Sequence, residues 1–256
     1  MGQPRAALSL KGKTMIYVTG DLHGDFTPLL KFAQSKQGKV LTKNDYVIVL
    51  GDLGLWPETL TQIKELSQRL NFTLLFIEGN HEHYPTLESF PKKHMFGGLV
   101  HDVFGVYHLC RSEIYTFPLD SKKITIAVCG GGDSKDKNKR TEGVDWFSQE
   151  QISESDVLTL FENAKKYDMQ VDYFLSHSLS AAVKAEWNYE CSSCPLCKNS
   201  SFNLFESDYR IRDIVGALKA QKYLSAHEHI DRDFSLAEKQ YRSVYKDFVE
   251  LRLANK

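Results

Sequence analysis

Short apolar runs recur along the chain, each closed by small or polar residues. "MIYVT", residues 15–19, reads as a short buried strand. "TPLLKFAQS" follows as a helix, with Thr27 as its N-cap and Pro28 at N1. "DYVIVL", residues 45–50, is a second apolar strand. Residues 58–70 repeat Leu60, Ile63, Leu66 and Leu70 at helical spacing. "TLLFI", residues 73–77, is a third strand. "VYHLCRSEIYTF" and "ITIAVCG" read as two more, joined by a polar turn at Asp120 and Ser121. Ser148 is placed to cap a helix through "EQISESDVLTLFENAKKY". "VDYFLS" is again a strand. Residues 207–220 gather Ile211, Ile214, Val215 and Leu218 on one face, "KYLSA" is a strand, and "YRSVYKDFVELRL" reads as a final pair. Strands alternating with helices, then β-rich stretches, imply a layered α/β protein.

No internal repeat interrupts this pattern. One shift in composition stands out at residues 187–206, rich in Cys, Ser and Asn, and it reads as an insertion within a single domain spanning residues 15–256. Residues 1–14 lack the apolar core of a signal peptide. They read as a disordered lead or an expression remnant, with Met15 as the natural start.

Composition then removes some functions. A formal net charge of −1 over 256 residues gives no global field for nucleic acid or anionic membrane. It weakens a processive nuclease while leaving nucleic acid open as a substrate. No apolar run approaches membrane-spanning length. The cysteine count is odd, 5 in all, with Cys110 and Cys129 far from the rest, which fits a reducing cytoplasm better than a disulfide framework.

The residues after each strand carry the chemistry. They are "GDLHG", "GDLG", "GNHEH", His177 and "HEH" at residues 227–229. Strand C-termini in α/β sheets share one rim, where ligands bind, so residues distant in sequence can converge there. Asp21, His23, Asp52, Asn80, His177, His227 and His229 together offer oxygen and imidazole ligands without thiolate. That set suits Mn, Fe or Zn and exceeds the four positions of one tetrahedral ion. It fits two divalent ions with Asp52, from the central strand pair, as the bridge. Two ions about 3.5–4 Å apart share a hydroxide and clamp an in-line displacement at phosphorus. Gly20, Gly24, Gly51, Gly54 and Gly79 flank these positions and allow tight turns.

In this order, each after a strand, "GDLHG", "GDLG", "GNHE", His177 and "AHEH" resemble the calcineurin-like metallophosphoesterase family, from about residue 15 to about residue 231. The resemblance implies a four-layer β-sandwich, two mixed sheets flanked by helices, and a binuclear centre that hydrolyses phosphoesters. It implies that Asp21, His23 and His229 hold one metal, that Asn80, His177 and His227 hold the other, and that Asp52 bridges. It implies that His81 donates a proton to the leaving oxygen. Two departures bear on substrate. "GDLGLWP" lacks the arginine that protein phosphatases carry after the second motif, and "AHEH" stands where many members have "GHTH". Ala226 in place of Gly is expected only to tighten its turn, whereas the missing arginine shifts weight from a protein phosphatase toward a phosphodiester or nucleotide-like small substrate.

Other histidines read differently. His83 is expected to be solvated, and His94, His101 and His108 to be structural. "GGGDSKDKNKR", residues 130–140, follows a strand and joins exposed backbone N–H groups to cations, so it is a candidate phosphate loop with Arg140 as the contact. "CSSCPLC" spaces Cys191, Cys194 and Cys197 as C-x-x-C-x-x-C, a candidate for an extra structural zinc that lacks an evident fourth ligand. The expected function is that of a cytoplasmic, metal-dependent phosphoester hydrolase with manganese as the leading metal. The alternatives are a metal-stabilised, non-catalytic binding scaffold, a protein phosphatase or a nuclease. Substrate identity and oligomeric state are not encoded in any motif.

Overall fold

The computed structural model describes residues 14–119, 122–193 and 202–253, the last three residues of the middle segment by backbone alone. In the first segment β1 (Ile16–Thr19), α1 (Thr27–Ala33), β2 (Tyr46–Leu50), α2 (Leu60–Arg69) and β3 (Thr73–Ile77) alternate. Then come α3 (Tyr84–Ser89), β4 (Lys92–Met95), β5 (Gly98–Val103), β6 (Val106–Leu109) and β7 (Ile114–Leu119). The rest of the chain holds β8 (Lys122–Cys129), α4 (Glu154–Lys165), β9 (Gln170–Ser176), α5 (Ala181–Ser193), α6 (Glu206–Ala217) and β10 (Lys219–Ser225). It ends in β11 (Arg232–Leu236), β12 (Lys239–Ser243) and β13 (Val249–Glu250). No helix among the described residues is long and apolar enough to cross a membrane.

Two sheets form. One is 7-stranded in the order β13-β1-β2-β3-β6-β5-β4, and the other is 6-stranded in the order β11-β12-β10-β9-β8-β7. Both are mixed. β1, β2 and β3 run parallel, as do β8, β9 and β10, while the hairpins are antiparallel. The apolar runs of β1 and β2 are continuous because both faces are covered. Ile16, Val18, Ile48 and Leu50 point between the sheets, where they meet Ile126, Val128, Leu175 and Leu224. Tyr17, Val47 and Val49 point outward onto α1 and α2 through Leu29, Phe32, Ile63 and Leu66. On the other outer face Ala127, Cys129 and Phe174 pack beneath Leu160, Val183, Trp187, Ile211 and Ile214. The layers therefore run helix, sheet, sheet, helix, as the sequence resemblance implies.

Several local expectations are corrected. Thr27 is the first helical residue rather than the cap, and the Asp25 carboxylate accepts its N–H at 3.0 Å. Ser148 opens a 3-10 turn, and the following helix starts at Glu154 behind Ser153, whose capping box with Asp156 satisfies its first turn. "VYHLCRSEIYTF" splits into β6 and β7, which belong to different sheets. The final pair also divides, β12 in one sheet and β13 in the other, and β4, β5 and β11 were not read from the sequence. The polar turn at Asp120 and Ser121 lies outside the described residues, as do residues 1–13 of the expected lead. Cys194 and Cys197 lie outside them too, and Cys191 is described by its backbone alone, so the structure does not bear on the "CSSCPLC" zinc. What is described of the insertion is anchored. Trp187 is buried between Phe202 and Phe234, with ring centroids 5.6 and 5.9 Å away.

Candidate metal centre

Parallel strands put their C-termini on one edge, and here the two sheets present theirs together. Asp21 and His23 follow β1, Asp52 follows β2, and Asn80 follows β3. From the facing sheet, His177 follows β9 directly, and His227 and His229 follow β10. The turns are wound tightly enough that four of these residues lie in the left-handed region: His23 (φ 49°), Asp52 (φ 51°), His227 (φ 64°) and His229 (φ 53°). Such backbone is costly for a side-chain-bearing residue and concentrates at functional sites. The turns support one another. Leu22 and His23 donate their N–H groups to the Asp52 carbonyl at 2.9 and 2.8 Å. Two glycines are required by proximity. A Cβ on Gly51, itself at φ 93°, would lie 2.2 Å from His177 Nδ1, and one on Gly79 would lie 2.1 Å from Asp52 Oδ1.

The side chains fall into two groups around one carboxylate. Asp21, His23 and His229 form the first, with Asp21 Oδ2 2.9 Å from His229 Nε2 and the His23 and His229 Nε2 atoms 3.2 Å apart. Asp52, His177 and His227 form the second, with His177 Nε2 3.1 Å from His227 Nδ1. Asp52 Oδ2 faces both, 3.7 Å from His23 Nε2 and 3.5 Å from His177 Nε2. Its Oδ1 is held by the His81 N–H at 2.8 Å.

The hydrogen-bond network indicates what belongs between them. His177 is fully buried and donates Nδ1–H to the Leu50 carbonyl at 2.8 Å. That bond occupies Nδ1 and aims Nε2 at the rim. Asn80 donates its amide to Ser134 Oγ at 3.0 Å, which turns Oδ1 toward His177 Nε2 at 2.9 Å. Two groups able to ligate a cation therefore face each other inside the protein, and His23 and His229 bring their Nε2 atoms together in the same way. The electrostatics agree. Burial, and then the Asp21 charge, push the Asp52 carboxyl well above the usual range. Against the burial that would raise it, the His229 hydrogen bond and the neighbouring imidazoles hold Asp21 low. Burial, with His177 beside it, drives His227 down, while the Asp21 hydrogen bond raises His229. Two buried carboxyl groups ringed by imidazoles are a donor set suited to divalent cations.

His81 stands at the mouth of a cleft of about 270 Å³ lined by His23, Asp52, Asn80, Arg140, His227 and His229 among others. The Trp56 indole donates to its carbonyl at 2.8 Å. Arg140 arrives from the loop after β8, anchored by Asp136 at 2.9 Å, and donates from Nη2 to His81 Nδ1 at 2.9 Å. Burial, then the Arg140 charge, hold His81 down to about 4. Lys135 of the same loop is paired with Glu228 at 2.9 Å.

Comparison with known proteins identifies the family. The family model for calcineurin-like phosphoesterases matches residues 14–231. The chain belongs to the calcineurin-like phosphoesterase family. That family is one of metal-dependent phosphoester hydrolases. No curated protein matches the chain. Among solved structures it is similar to a candidate 5′-nucleotidase from Staphylococcus aureus in complex with alpha-ketoglutarate, with a TM-score of 0.54 at 12% identity. The match covers 91% of this chain and 49% of that one, so this chain spans about half the length of that protein. It is also similar to the phosphopantetheinyl hydrolase of Mycobacterium tuberculosis (TM-score 0.41, 15% identity). A protein of Thermus thermophilus gives a TM-score of 0.49 at 12% identity. Each of these two matches covers 91% of this chain and 90% of the other. At 12% identity the likeness to the Staphylococcus aureus protein speaks for the fold alone.

Some residues of this phosphoesterase centre were not singled out from the sequence. Glu82, buried in "GNHE", accepts the Gly79 N–H at 2.7 Å and the Gly54 N–H at 3.3 Å, and so ties the second motif loop to the third. Burial, then the Asp52 charge, raise it to about 8. Glu150 accepts from Ser134 N and Oγ and thereby orients the partner of Asn80. Lys184 is fully buried between Asp208 and Glu228, at 2.9 and 2.6 Å. The signal for Glu82 was present in its motif; the others are set by tertiary contacts. His83, expected to be solvated, instead caps α3 by accepting from Thr86 N at 3.1 Å.

Proposed function

We propose that this chain hydrolyses a small phosphodiester or nucleotide-like phosphoester with two divalent cations bound at the rim, manganese being the leading candidate. The observation that carries the reading is the convergence on one buried point of His177 Nε2, Asn80 Oδ1 and Asp52 Oδ2, the first two 2.9 Å apart and the first and third 3.5 Å apart. Asp21, His23 and His229 would hold one ion, and Asn80, His177 and His227 the other, with Asp52 Oδ2 common to both. When bound, such a pair supplies an activated water and neutralises charge on the phosphoryl oxygens.

The chain's own residues do the rest. Arg140 takes the place of the arginine missing from "GDLGLWP" and presents its guanidinium to a phosphoryl oxygen. His81 donates to the oxygen that leaves phosphorus. It is neutral in the resting site. Burial is the larger cause of that and the Arg140 charge the next; a phosphate that draws the guanidinium onto itself offsets the second and adds an opposite charge, so the imidazole takes up a proton more readily with substrate bound. Lys135 is already committed to Glu228, which leaves Arg140 as the cation of this loop facing His81. One guanidinium suits the single charge of a diester better than the double charge of a monoester, and a cleft of about 270 Å³ suits a small molecule. Cys110 and Cys129 are free and buried, in keeping with a cytoplasmic protein.

The test is a panel of bis(p-nitrophenyl) phosphate, p-nitrophenyl phosphate, cyclic nucleotides, nucleoside monophosphates and dinucleoside polyphosphates, with Mn²⁺ present. Diester turnover above monoester turnover is expected. Higher monoester turnover would move the assignment to a phosphatase. No turnover with Mn²⁺, Fe²⁺ or Zn²⁺ would leave a metal-stabilised binding scaffold.

A further inference from the structure

The hairpin of β5 and β6 carries a second group of ligating side chains, away from the rim. His101 and His108 are register partners across the antiparallel pair. Cys110 lies two residues beyond His108, so the period of a strand puts it on the same face, diagonal to His101. The ligand atoms of His101, His108 and Cys110 all lie within 4.8 Å of one another. Tetrahedral coordination at Zn–N and Zn–S lengths of about 2.1 and 2.3 Å asks for roughly 3.5 Å, a difference that small side-chain adjustments close.

Each histidine is already held by its other nitrogen. His108 Nε2 is bonded to Glu78 Oε2 at 2.8 Å, and Glu78 is in turn fixed by Arg111 Nε at 2.6 Å. His101 Nδ1 meets the Phe90 carbonyl at 2.8 Å. A carboxylate behind one imidazole and a backbone carbonyl behind the other is the arrangement that orients metal-binding histidines. The nitrogens left over are His101 Nε2 and His108 Nδ1. His108 is 4% exposed, and its Nδ1 is buried with no hydrogen-bond partner. Buried ring nitrogens are seldom left unmatched. The same three residues line a cavity of about 280 Å³, together with Glu78, Tyr84, Glu88, Lys92 and Arg111. That cavity has room for a water in a fourth coordination position.

We propose that His101, His108 and Cys110 form a separate metal site that takes a zinc-class ion, with the fourth position open to this cavity. The assignment does not depend on the rim being catalytic. Thiolate and imidazole select a softer ion than the carboxylate, amide and imidazole set of the rim, so one chain sorts two kinds of metal. On binding, the Cys110 S–H bond breaks, the S–Zn bond forms, and one proton leaves to solvent per ion. The site also reaches the rim through Glu78, which precedes Gly79 and Asn80 and whose carbonyl accepts the Gly131 N–H at 2.7 Å.

Cobalt substitution in the full chain tests this, because thiolate–Co²⁺ coordination gives a charge-transfer band that oxygen and imidazole ligands do not. Cys191, Cys194 and Cys197 are first replaced by serine, so that the band reports only on Cys110 or Cys129. One equivalent of Co²⁺ should then produce the band, Zn²⁺ should abolish it, and excess Mn²⁺ should leave it intact. Cys110→Ser on that background should remove it, and Cys129→Ser should not. Absence of the band from the parent, or its survival in Cys110→Ser, overturns the site. If Cys110→Ser misfolds, His101→Gln provides the second variant. Loss of one zinc per chain by elemental analysis sustains the proposal, and unchanged zinc refutes it.

Discussion

Arg140 Nη2 and His81 Nδ1 are 2.9 Å apart, and they come from loops that follow strands of different sheets. The guanidinium donates and the imidazole accepts, with Nδ1 the nearer ring nitrogen and Nε2 at 3.3 Å. This one pair joins the phosphate-facing loop to the third motif loop. It makes the protonation of His81 answer to whatever occupies the guanidinium.

Replacing His81 with Ala should leave metal content near wild type, since none of the seven rim ligands is touched. General acid catalysis contributes about 10²–10⁴-fold. The loss should be large for alkyl leaving groups and small for p-nitrophenolate, which departs without a proton. Equal losses for both would contradict the proton-donor role.

Arg140→Ala should raise KM about 10-fold or more, the scale of one charged hydrogen bond at about 1.5–3 kcal/mol. Arg140→Lys should recover little of it, because an ammonium lacks the planar fork. Steady-state kinetics on the preferred diester gives both numbers. A KM unchanged in Arg140→Ala would remove Arg140 from the substrate.

Asp52→Asn keeps the shape of the bridge and removes the charge that lets it hold two cations. At least one metal per chain should be lost by elemental analysis, with nearly all turnover. Two rim metals and retained activity would sink the bridging assignment.

Asp208 gives a pH prediction. Burial, against the Lys184 charge that would lower it, raises its carboxyl to about 6 from an ordinary 3.8. Glu228, which shares Lys184 and also has Lys135, stays low. A carboxyl raised in the folded state binds its proton more tightly there, so its contribution is complete below about pH 4 and is lost as pH rises through 6. The window is about two pKa units, at 1.36 kcal/mol per unit at most about 3 kcal/mol. Asp208→Asn should flatten the stability profile between pH 4 and 6.5, as read from urea midpoints. A slope equal to wild type in that window would show that Asp208 does not titrate there.

The sequence was most legible where local pattern and chemistry coincide. β1, β2, β3 and β9 are legible as uninterrupted apolar runs, and the residues behind them, picked out by their position at strand ends, lie together at one rim. Reading failed where pairing is non-local. Nothing in "KKHM" or "RDFSL" has the apolar alternation of a buried strand, because β4 and β11 lie at sheet edges and are half solvated. His101 and His108 read as structural in the sequence for want of ligand neighbours; His108 stands two residues from Cys110, but only the register of β5 with β6 brings His101 to them. Arg140 was singled out for its fork, whereas its contact with His81 depends on where β8 ends relative to β3.

The rim residues come from both sheets, and this gives the metals a mechanical role. Asp21 and His23 face His229 across the join, and Asp52 and Asn80 face His177 and His227. Each ion would act as a rivet at the rim of the sandwich, while away from the rim the sheets are joined by apolar packing and by hydrogen bonds such as that from the Tyr173 hydroxyl to the Arg252 carbonyl at 2.6 Å. Chelation should therefore loosen one end of the stacked sheets and leave the other as tight as before. Amide exchange should quicken in the β2, β3 and β9 strand ends and stay slow at their starts. The share of stability that returns with added cation, RT ln(1 + [M]/Kd), would measure how much of the sheet-to-sheet grip is metallic.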